Sequence, residues 1–159
     1  MNKFVEMLAT FFYVGKIPFA PGTFGTLAAI PLWFALSKLN PIWYMAITFL
    51  IVIFGIFISQ MYEKTKSEHD SKEIVIDEVA GFLITMVWLP PTWQSVVLGF
   101  ILFRFFDIVK PPPIRQIDQK IQGGLGVMAD DVVAGIVANL ILQIIYTQTL
   151  WLGAQIQTF

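Results

Sequence analysis

The chain has 159 residues, of which 57% are hydrophobic and 13% are charged. Soluble domains average about 45–50% apolar and about 25% charged residues, so this composition predicts an integral membrane protein with one domain, residues 1–159. The net charge of −1 argues against nucleic acid as a partner, and the absence of cysteine excludes disulfides, zinc–thiolate sites and cysteine nucleophiles.

Residues 1–16 form the first predicted element, a short interfacial helix. Glu6 interrupts its apolar character and no small-residue cleavage site follows, so the segment does not fit a signal peptide. Five longer apolar runs come next, and they cover residues 23–39, 42–62, 74–89, 93–106 and 131–152.

Only the second and fifth of these runs comfortably reach the roughly 20 residues that a membrane-crossing helix needs. Backbone groups in lipid must be satisfied within the protein, which helices achieve and open sheets do not. The sequence therefore predicts an all-α, polytopic membrane bundle of about four to five membrane helices, some of them short or re-entrant.

Basic residues in the connectors predict the orientation, because cytoplasmic loops of membrane proteins are rich in lysine and arginine. They precede the first run and separate the second run from the third and the fourth from the fifth: Lys3, Lys16, Lys64, Lys66, Lys72, Lys110, Arg115 and Lys120. The opposite connectors carry only Lys38. The first, third and fifth runs are therefore predicted to start at the cytoplasm, where their positive N-terminal ends would favour an anion.

Two acidic doublets, Asp77-Glu78 and Asp130-Asp131, stand at the predicted starts of the third and fifth runs. The alternative interpretation is that these acids cap the helices, but one acid per helix would be enough for capping. Four carboxylates near Asp107 repel one another, and protonation or a cation must relieve that repulsion. Hard oxygen ligands suit Mg²⁺, so we predict a magnesium site.

Arg104 and Lys110 flank Asp107 near the end of the fourth run. Arg104 is costly in an apolar run unless it pairs with Asp107 or with a lipid phosphate. Lys110 stands directly before three prolines that end any helix, where it could bind phosphate as a point charge. A simple surface ion pair between Asp107 and Lys110 is the alternative.

Glycine-rich turns are less specific signals. At the start of the first run, Gly22 and Thr23 predict either a turn with a threonine N-cap or backbone N–H groups close to a phosphate. Residues 123–126 predict a flexible turn or a backbone cradle. His69 is the only histidine, and its polar loop predicts a solvated residue.

Three segments, residues 18–36, 69–85 and 103–135, together resemble the signature blocks of the phosphatidylglycerophosphatase A family. The resemblance extends from residue 18 to residue 142, and Pro112 departs from the bulkier residue expected there. It implies a Mg²⁺-dependent, multi-pass lipid phosphatase of the bacterial inner membrane with its active site facing the cytoplasm. Its substrate would be phosphatidylglycerophosphate, which loses its terminal phosphate to give phosphatidylglycerol.

Under this resemblance the predicted site residues fall into two groups. The metal ligands or water-activating bases are Asp77, Glu78, Asp130 and Asp131, with Asp107 as a further ligand or nucleophile. The phosphate-binding residues are Gly22, Thr23, Arg104 and Lys110. No Asp-x-Asp pattern is present, which favours direct attack by water over an aspartyl phosphate.

Two other classes of protein also use membrane carboxylates. A CDP-alcohol phosphotransferase carries a spaced acidic signature that this sequence lacks. An ion-coupled transporter is expected to hold its acids near mid-helix, whereas here they are predicted at helix ends on one side of the membrane.

Overall fold

A computed structural model describes residues 3–66 and 71–153, and within these ranges the chain is helical with no β-strand. The described helices are α1 (Lys3–Ala9), α2 (Pro21–Leu36), α3 (Pro41–Lys66), α4 (Ile76–Thr85), α5 (Trp93–Val109), α6 (Ile114–Lys120) and α7 (Gly123–Gln148). A 3₁₀ turn, Val14–Lys16, lies between α1 and α2. The predicted all-α fold is confirmed for this part of the chain, and His69 lies outside it.

Two helices, α3 and α7, are long and apolar enough to cross a membrane, by length and composition. They correspond to the two runs that the sequence singles out as long enough. α7 is half-buried in the bundle, whereas α3 leaves most of its surface outside. Large apolar side chains cover that outer surface of α3, among them Phe49, Leu50, Phe54 and Phe57. An apolar outer face is typical of a helix in contact with lipid.

Two of the differences between the helix boundaries and the sequence prediction bear on the site and on the end of α4. α7 begins at Gly123, so Asp130 and Asp131 are its eighth and ninth residues and do not stand at a helix start. The prediction that both doublets lie at helix N-termini is therefore wrong for this pair. α4 ends at Thr85 and does not reach the predicted residue 89. Three residues later Trp88 has a φ of 58°, a left-handed conformation that a right-handed helix cannot include.

α4 lies at the centre of the bundle and packs against α2, α3, α5 and α7. Val79, Phe82 and Leu83 on this helix are completely buried. Gly81 allows α4 and α7 to approach closely, since a Cβ at this position would lie 2.8 Å from the backbone oxygen of Asp131. This close packing fixes the acidic start of α4 relative to the acids of α7.

Side chains of α7 satisfy the carbonyl groups at the end of α4. Asn139 Nδ2 donates hydrogen bonds to the carbonyl oxygens of Thr85 (2.8 Å) and Val87 (2.9 Å), and Gln143 Nε2 donates to Val87 (2.8 Å). The last carbonyls of a helix have no partner within the helix. In an apolar setting these amides take the place of water.

We expect Asn139→Leu to lower the free energy of unfolding by about 1–3 kcal/mol, because the Thr85 carbonyl would lose the hydrogen bond from Asn139. Gln143→Leu is the matched control. Val87 would keep its bond from Asn139, so the loss should be smaller. Equilibrium unfolding in detergent measures both variants, and equal losses would contradict this account of the end of α4.

Candidate active site

A cavity of about 320 Å³ opens where the first turns of α2 and α4 meet the ends of α5 and α6 and the third turn of α7. Its lining combines many carboxylates with few cations. The acidic lining residues are Asp77, Glu78, Asp107, Asp118, Asp130 and Asp131, and the basic ones are Lys72, Arg104 and Lys110. All of the predicted acidic and basic site residues therefore line one cavity.

Three carboxylates converge in this cavity. One oxygen each from Asp77, Glu78 and Asp131 lies within 4.8 Å of the others. Asp77 and Glu78 reach this point from the first turn of α4, where Asp77 Oδ1 also accepts the backbone N–H of Glu78 (3.0 Å). Asp131 comes from α7 and is only 3% exposed. We call these three residues the acidic triad.

The acidic triad suits a hard divalent cation. Within the described ranges, Glu78 Oε2 and Asp131 Oδ2 are buried and have no hydrogen-bond partner. Leaving buried carboxylate oxygens unpaired costs free energy unless a positive charge lies beside them. A set of carboxylate oxygens without nitrogen or sulfur ligands is the donor set that Mg²⁺ and Ca²⁺ accept. The residues present therefore fit the predicted cation.

Asp130 lines the same cavity but does not belong to the acidic triad. Successive residues of an α-helix are turned by about 100° from each other, so the two acids of this doublet face different neighbours. Asp130 Oδ2 accepts a hydrogen bond from Lys110 Nζ (2.6 Å), while Oδ1 is buried without a partner among the described residues. The four predicted metal ligands are thus divided between a group of three and a lysine-bound neighbour.

Arg104 links two of the acidic residues on different helices. Its Nη1 lies 2.5 Å from Asp107 Oδ2 and 3.6 Å from Glu78 Oε1. The predicted ion pair between Arg104 and Asp107 is confirmed. All three side chains are mostly buried, so the guanidinium offsets part of the repulsion between α4 and α5.

Lys110 ends α5 and lies between two carboxylates. The helix stops at Val109, and Lys110 caps it in a left-handed conformation directly before the prolines, as the sequence predicts. Its Nζ donates to Asp118 Oδ1 and to Asp130 Oδ2, both at 2.6 Å, in place of the alternative pair with Asp107. Burial alone would lower the pKa of Lys110, but these hydrogen bonds raise it above the ordinary value. The side chain therefore stays charged at neutral pH.

The start of α2 differs from the predicted threonine cap. Pro21 is the first residue of the helix and Ala20 is its N-cap, so Thr23 lies in the first turn. The Thr23 N–H donates to the Ala20 carbonyl (3.0 Å), and Thr23 is not among the residues that line the cavity. Gly22 does line it.

Gly22 leaves room for the charged side chains opposite. A Cβ at this position would lie 3.0 Å from Arg104 Nη1 and would overlap the Glu78 carboxylate. We expect Gly22→Ala to lower kcat/KM by about 10²-fold, because small displacements of catalytic groups have effects of this size. The fold should survive, since only the ends of side chains must move. Steady-state kinetics and the Tm in the same detergent test this, and an unchanged kcat/KM would contradict it.

Some residues of the cavity are not among the predicted site residues. Ser71 and Lys72 line it, although Lys72 served only to predict the orientation in the membrane. α6 was also not predicted. It places Asp118 against Lys110.

The glycines of residues 123–126 form the first turn of α7 and not a flexible turn. The Gly124 N–H donates to Gln60 Oε1 of α3 (3.0 Å), which ties this turn to the neighbouring helix. Gly126 and Val127 line the cavity. Because α7 begins at Gly123, about two helical turns precede Asp130 and Asp131, and both aspartates are buried within the bundle.

Comparison with known proteins gives consistent results. A family model described as Phosphatidylglycerophosphatase A matches residues 7–146. Phosphatidylglycerophosphatase A of Escherichia coli is 41% identical over 141 residues, covering 88% of this chain and 82% of that protein. Phosphatidylglycerophosphatase A of Haemophilus influenzae is 39% identical over 140 residues, covering 87% and 86%.

A third relative carries a different name. A protein of Bacteroides thetaiotaomicron named "Putative phosphatidylinositol-3-phosphatase" is 36% identical over 146 residues, covering 87% of this chain and 91% of that protein. No solved structure matches the chain significantly. From the family match and the extent of these identities, the chain belongs to the phosphatidylglycerophosphatase A family and is a phosphatase.

Proposed function

We propose that this protein hydrolyses the terminal phosphomonoester of phosphatidylglycerophosphate to phosphatidylglycerol and phosphate, with Mg²⁺ as cofactor. The observation that carries the proposal is the acidic triad, which shares one cavity with Arg104 and Lys110. The names of the relatives from Escherichia coli and Haemophilus influenzae support the choice of substrate.

The charge of the cavity supports a cation. Six carboxylates against three basic side chains leave three net negative charges when all groups are ionised. A phosphomonoester carries up to two negative charges at neutral pH, so this cavity alone would repel it. A divalent cation at the acidic triad lowers this excess to one negative charge and supplies a positive centre that phosphate oxygens can contact.

Asp77, Glu78 and Asp131 would hold the cation. When bound, Mg²⁺ neutralises phosphoryl oxygens and lowers the pKa of water. Arg104 and Lys110 would contact the remaining phosphate oxygens as fixed positive charges, and Gly22 at the start of α2 would offer its backbone N–H. Charge neutralisation must dominate, because enzymes accelerate phosphomonoester hydrolysis by up to about 10²¹-fold.

Asp107 and Asp130 are the proposed proton-handling carboxylates, since both line the cavity and Asp130 keeps one oxygen unpaired. Water attacks phosphorus as a carboxylate takes its proton. The bond from phosphorus to the glycerol oxygen breaks, and this oxygen leaves as the alcohol of phosphatidylglycerol after gaining a proton. Capture of a phosphorylated aspartate by acid quench would contradict direct attack by water.

A location in the bacterial inner membrane agrees with the same arrangement. α3 and α7 would cross the bilayer, with the shorter helices α2, α4 and α5 packed beside them. The cavity lies at the end of the bundle that carries Lys16, Lys66 and Lys72, which the distribution of basic residues assigns to the cytoplasm. The acyl chains of the substrate would stay in the bilayer while its headgroup reaches the cavity.

Phosphate release by the purified protein in mixed micelles with Mg²⁺ tests the proposal. Three lipids with matched acyl chains should be compared: phosphatidylglycerophosphate, phosphatidylinositol 3-phosphate and phosphatidic acid. We expect the highest kcat/KM for phosphatidylglycerophosphate. If folded protein hydrolyses only the inositol lipid, the proposed substrate is wrong and the name of the Bacteroides relative is the better guide.

A further inference from the structure

A turn before α4 brings to the cavity a cation that belongs neither to the acidic triad nor to the pair Arg104 and Lys110. Ser71 and Lys72 both line the cavity. The Ser71 carbonyl accepts the N–H of Ile74 (2.9 Å), which closes a turn with Lys72 and Glu73 at its centre. We call residues 71–74 the Lys72 turn.

Contacts on both sides hold the Lys72 turn in place. The Glu73 carboxylate accepts hydrogen bonds from Lys66 Nζ (2.8 Å) and from the Tyr62 hydroxyl, both on α3. Directly after the turn, the Val75 N–H donates to the Ala9 carbonyl (3.0 Å) at the end of α1. The backbone that carries Lys72 is therefore fixed by two helices outside the cavity.

Lys72 differs from the other two cations of the cavity in its electrostatic partners. Arg104 is paired with Asp107, and Lys110 is bound to two carboxylates. Lys72 is exposed, and no ion pair joins it to any residue in the described ranges. None of the described residues therefore neutralises its charge, which can meet an anion in the cavity.

We infer that the Lys72 turn forms a subsite for a second phosphate group of the lipid, the phosphodiester that joins its headgroup to diacylglycerol. This inference rests on the proposed function. Phosphatidylglycerophosphate carries such a diester, separated by a single glycerol from the monoester that is cleaved. With the monoester at the acidic triad, Arg104 and Lys110, the remaining basic residue in the lining of the same cavity is Lys72, which can meet the diester.

The chemistry of lysine suits this role. A phosphodiester carries one negative charge, and lysine can bind it as a point charge on a flexible side chain. The subsite would favour lipids with two phosphate groups. Phosphatidic acid has a monoester but no diester beyond it, and it would gain nothing from Lys72.

The test compares Lys72→Gln, Lys72→Arg and the control Lys64→Gln, with kcat and KM for phosphatidylglycerophosphate in mixed micelles containing Mg²⁺. Lys64 is exposed on the last turn of α3 and does not line the cavity, so its loss reports a general change of charge. Inhibition by inorganic phosphate is measured in parallel, because that anion occupies the monoester position alone.

We expect Lys72→Gln to raise KM about tenfold, the size expected for one charge-assisted hydrogen bond. The kcat should stay within about twofold, since the contact is equal in the ground and transition states. The inhibition constant for inorganic phosphate should not change. Lys72→Arg and Lys64→Gln should both resemble the wild type.

Several results would overturn the inference. An unchanged KM in Lys72→Gln would exclude the subsite, and an equal rise in Lys64→Gln would reduce it to general electrostatic attraction. A parallel rise in the inhibition constant for inorganic phosphate would place Lys72 at the monoester or at the released phosphate. Folded wild-type protein that releases no phosphate from the lipid would contradict the proposed function itself, before any variant is compared.

Discussion

Asp131→Asn is expected to lower kcat for phosphate release by at least about a hundredfold, since residues that only support metal ligands already cost 10–100-fold when changed. Asp131 contributes the one carboxylate of the acidic triad that comes from α7. Asparagine keeps the size of the side chain but removes its negative charge. The cation would lose a ligand, and the remaining two acids come from adjacent positions on a single helix.

A control separates this effect from a general loss of buried charge. Glu6 is also a buried acid, but it pairs with Lys16 and does not line the cavity. Glu6→Gln should therefore keep most of the activity. Both variants should be compared in Tm and in kcat at saturating lipid. Wild-type kcat in a folded Asp131→Asn variant would exclude this carboxylate from the reaction.

Removal of divalent cations is expected to abolish activity and also to destabilise the protein. Without a cation, the acidic triad holds carboxylates together at a free-energy cost. Binding of Mg²⁺ to the folded state alone stabilises it by about 2.7 kcal/mol at a concentration about one hundred times Kd. The Tm of the wild type should therefore rise with Mg²⁺ concentration and fall with chelator.

The same titration on Asp131→Asn ties the stabilisation to the site. Its Tm should respond little to Mg²⁺, because the ligand set is incomplete, and this readout does not depend on turnover. Full activity of the wild type in chelator would contradict the proposed cofactor. An equal Tm response in both proteins would locate the stabilising cation elsewhere.

Proline and charge made parts of this fold predictable. The prolines after Lys110 remove backbone donors and block the helix, and α5 ends where they predict. An arginine in an apolar run is costly without a partner, and of the two partners expected for Arg104, Asp107 or a lipid phosphate, the structure shows Asp107. Both predictions depend on residues next to each other in sequence or on one helix, where local physics is sufficient.

The start of α7 was not predictable in the same way. Glycine costs about 1 kcal/mol relative to alanine inside a helix, so residues 123–126 indicated a turn. Contact with α3 reverses that preference, because a Cβ at Gly124 would lie 2.6 Å from the backbone nitrogen of Gln60. Packing between distant segments therefore decides where this helix begins.

The earlier start of α7 also places Asp130 and Asp131 differently from the sequence prediction. With Asp130 and Asp131 inside α7, their position no longer separates an interfacial enzyme from a transporter. The family match supplies that distinction. The helical position also explains why only one of the two acids joins the acidic triad, which a sequence doublet does not reveal.

The amides that close the end of α4 bear on how the protein is made. α4 has ten residues, so it spans about 15 Å, half the thickness of a bilayer core. Alone, it would carry two acids and open carbonyls into lipid, each at a cost of several kcal/mol. Its partners Asn139 and Gln143 lie on α7, which is synthesised after α4. If α4 enters the bilayer in the proposed orientation, it would therefore be stable there only after α7 has been synthesised and packed against it.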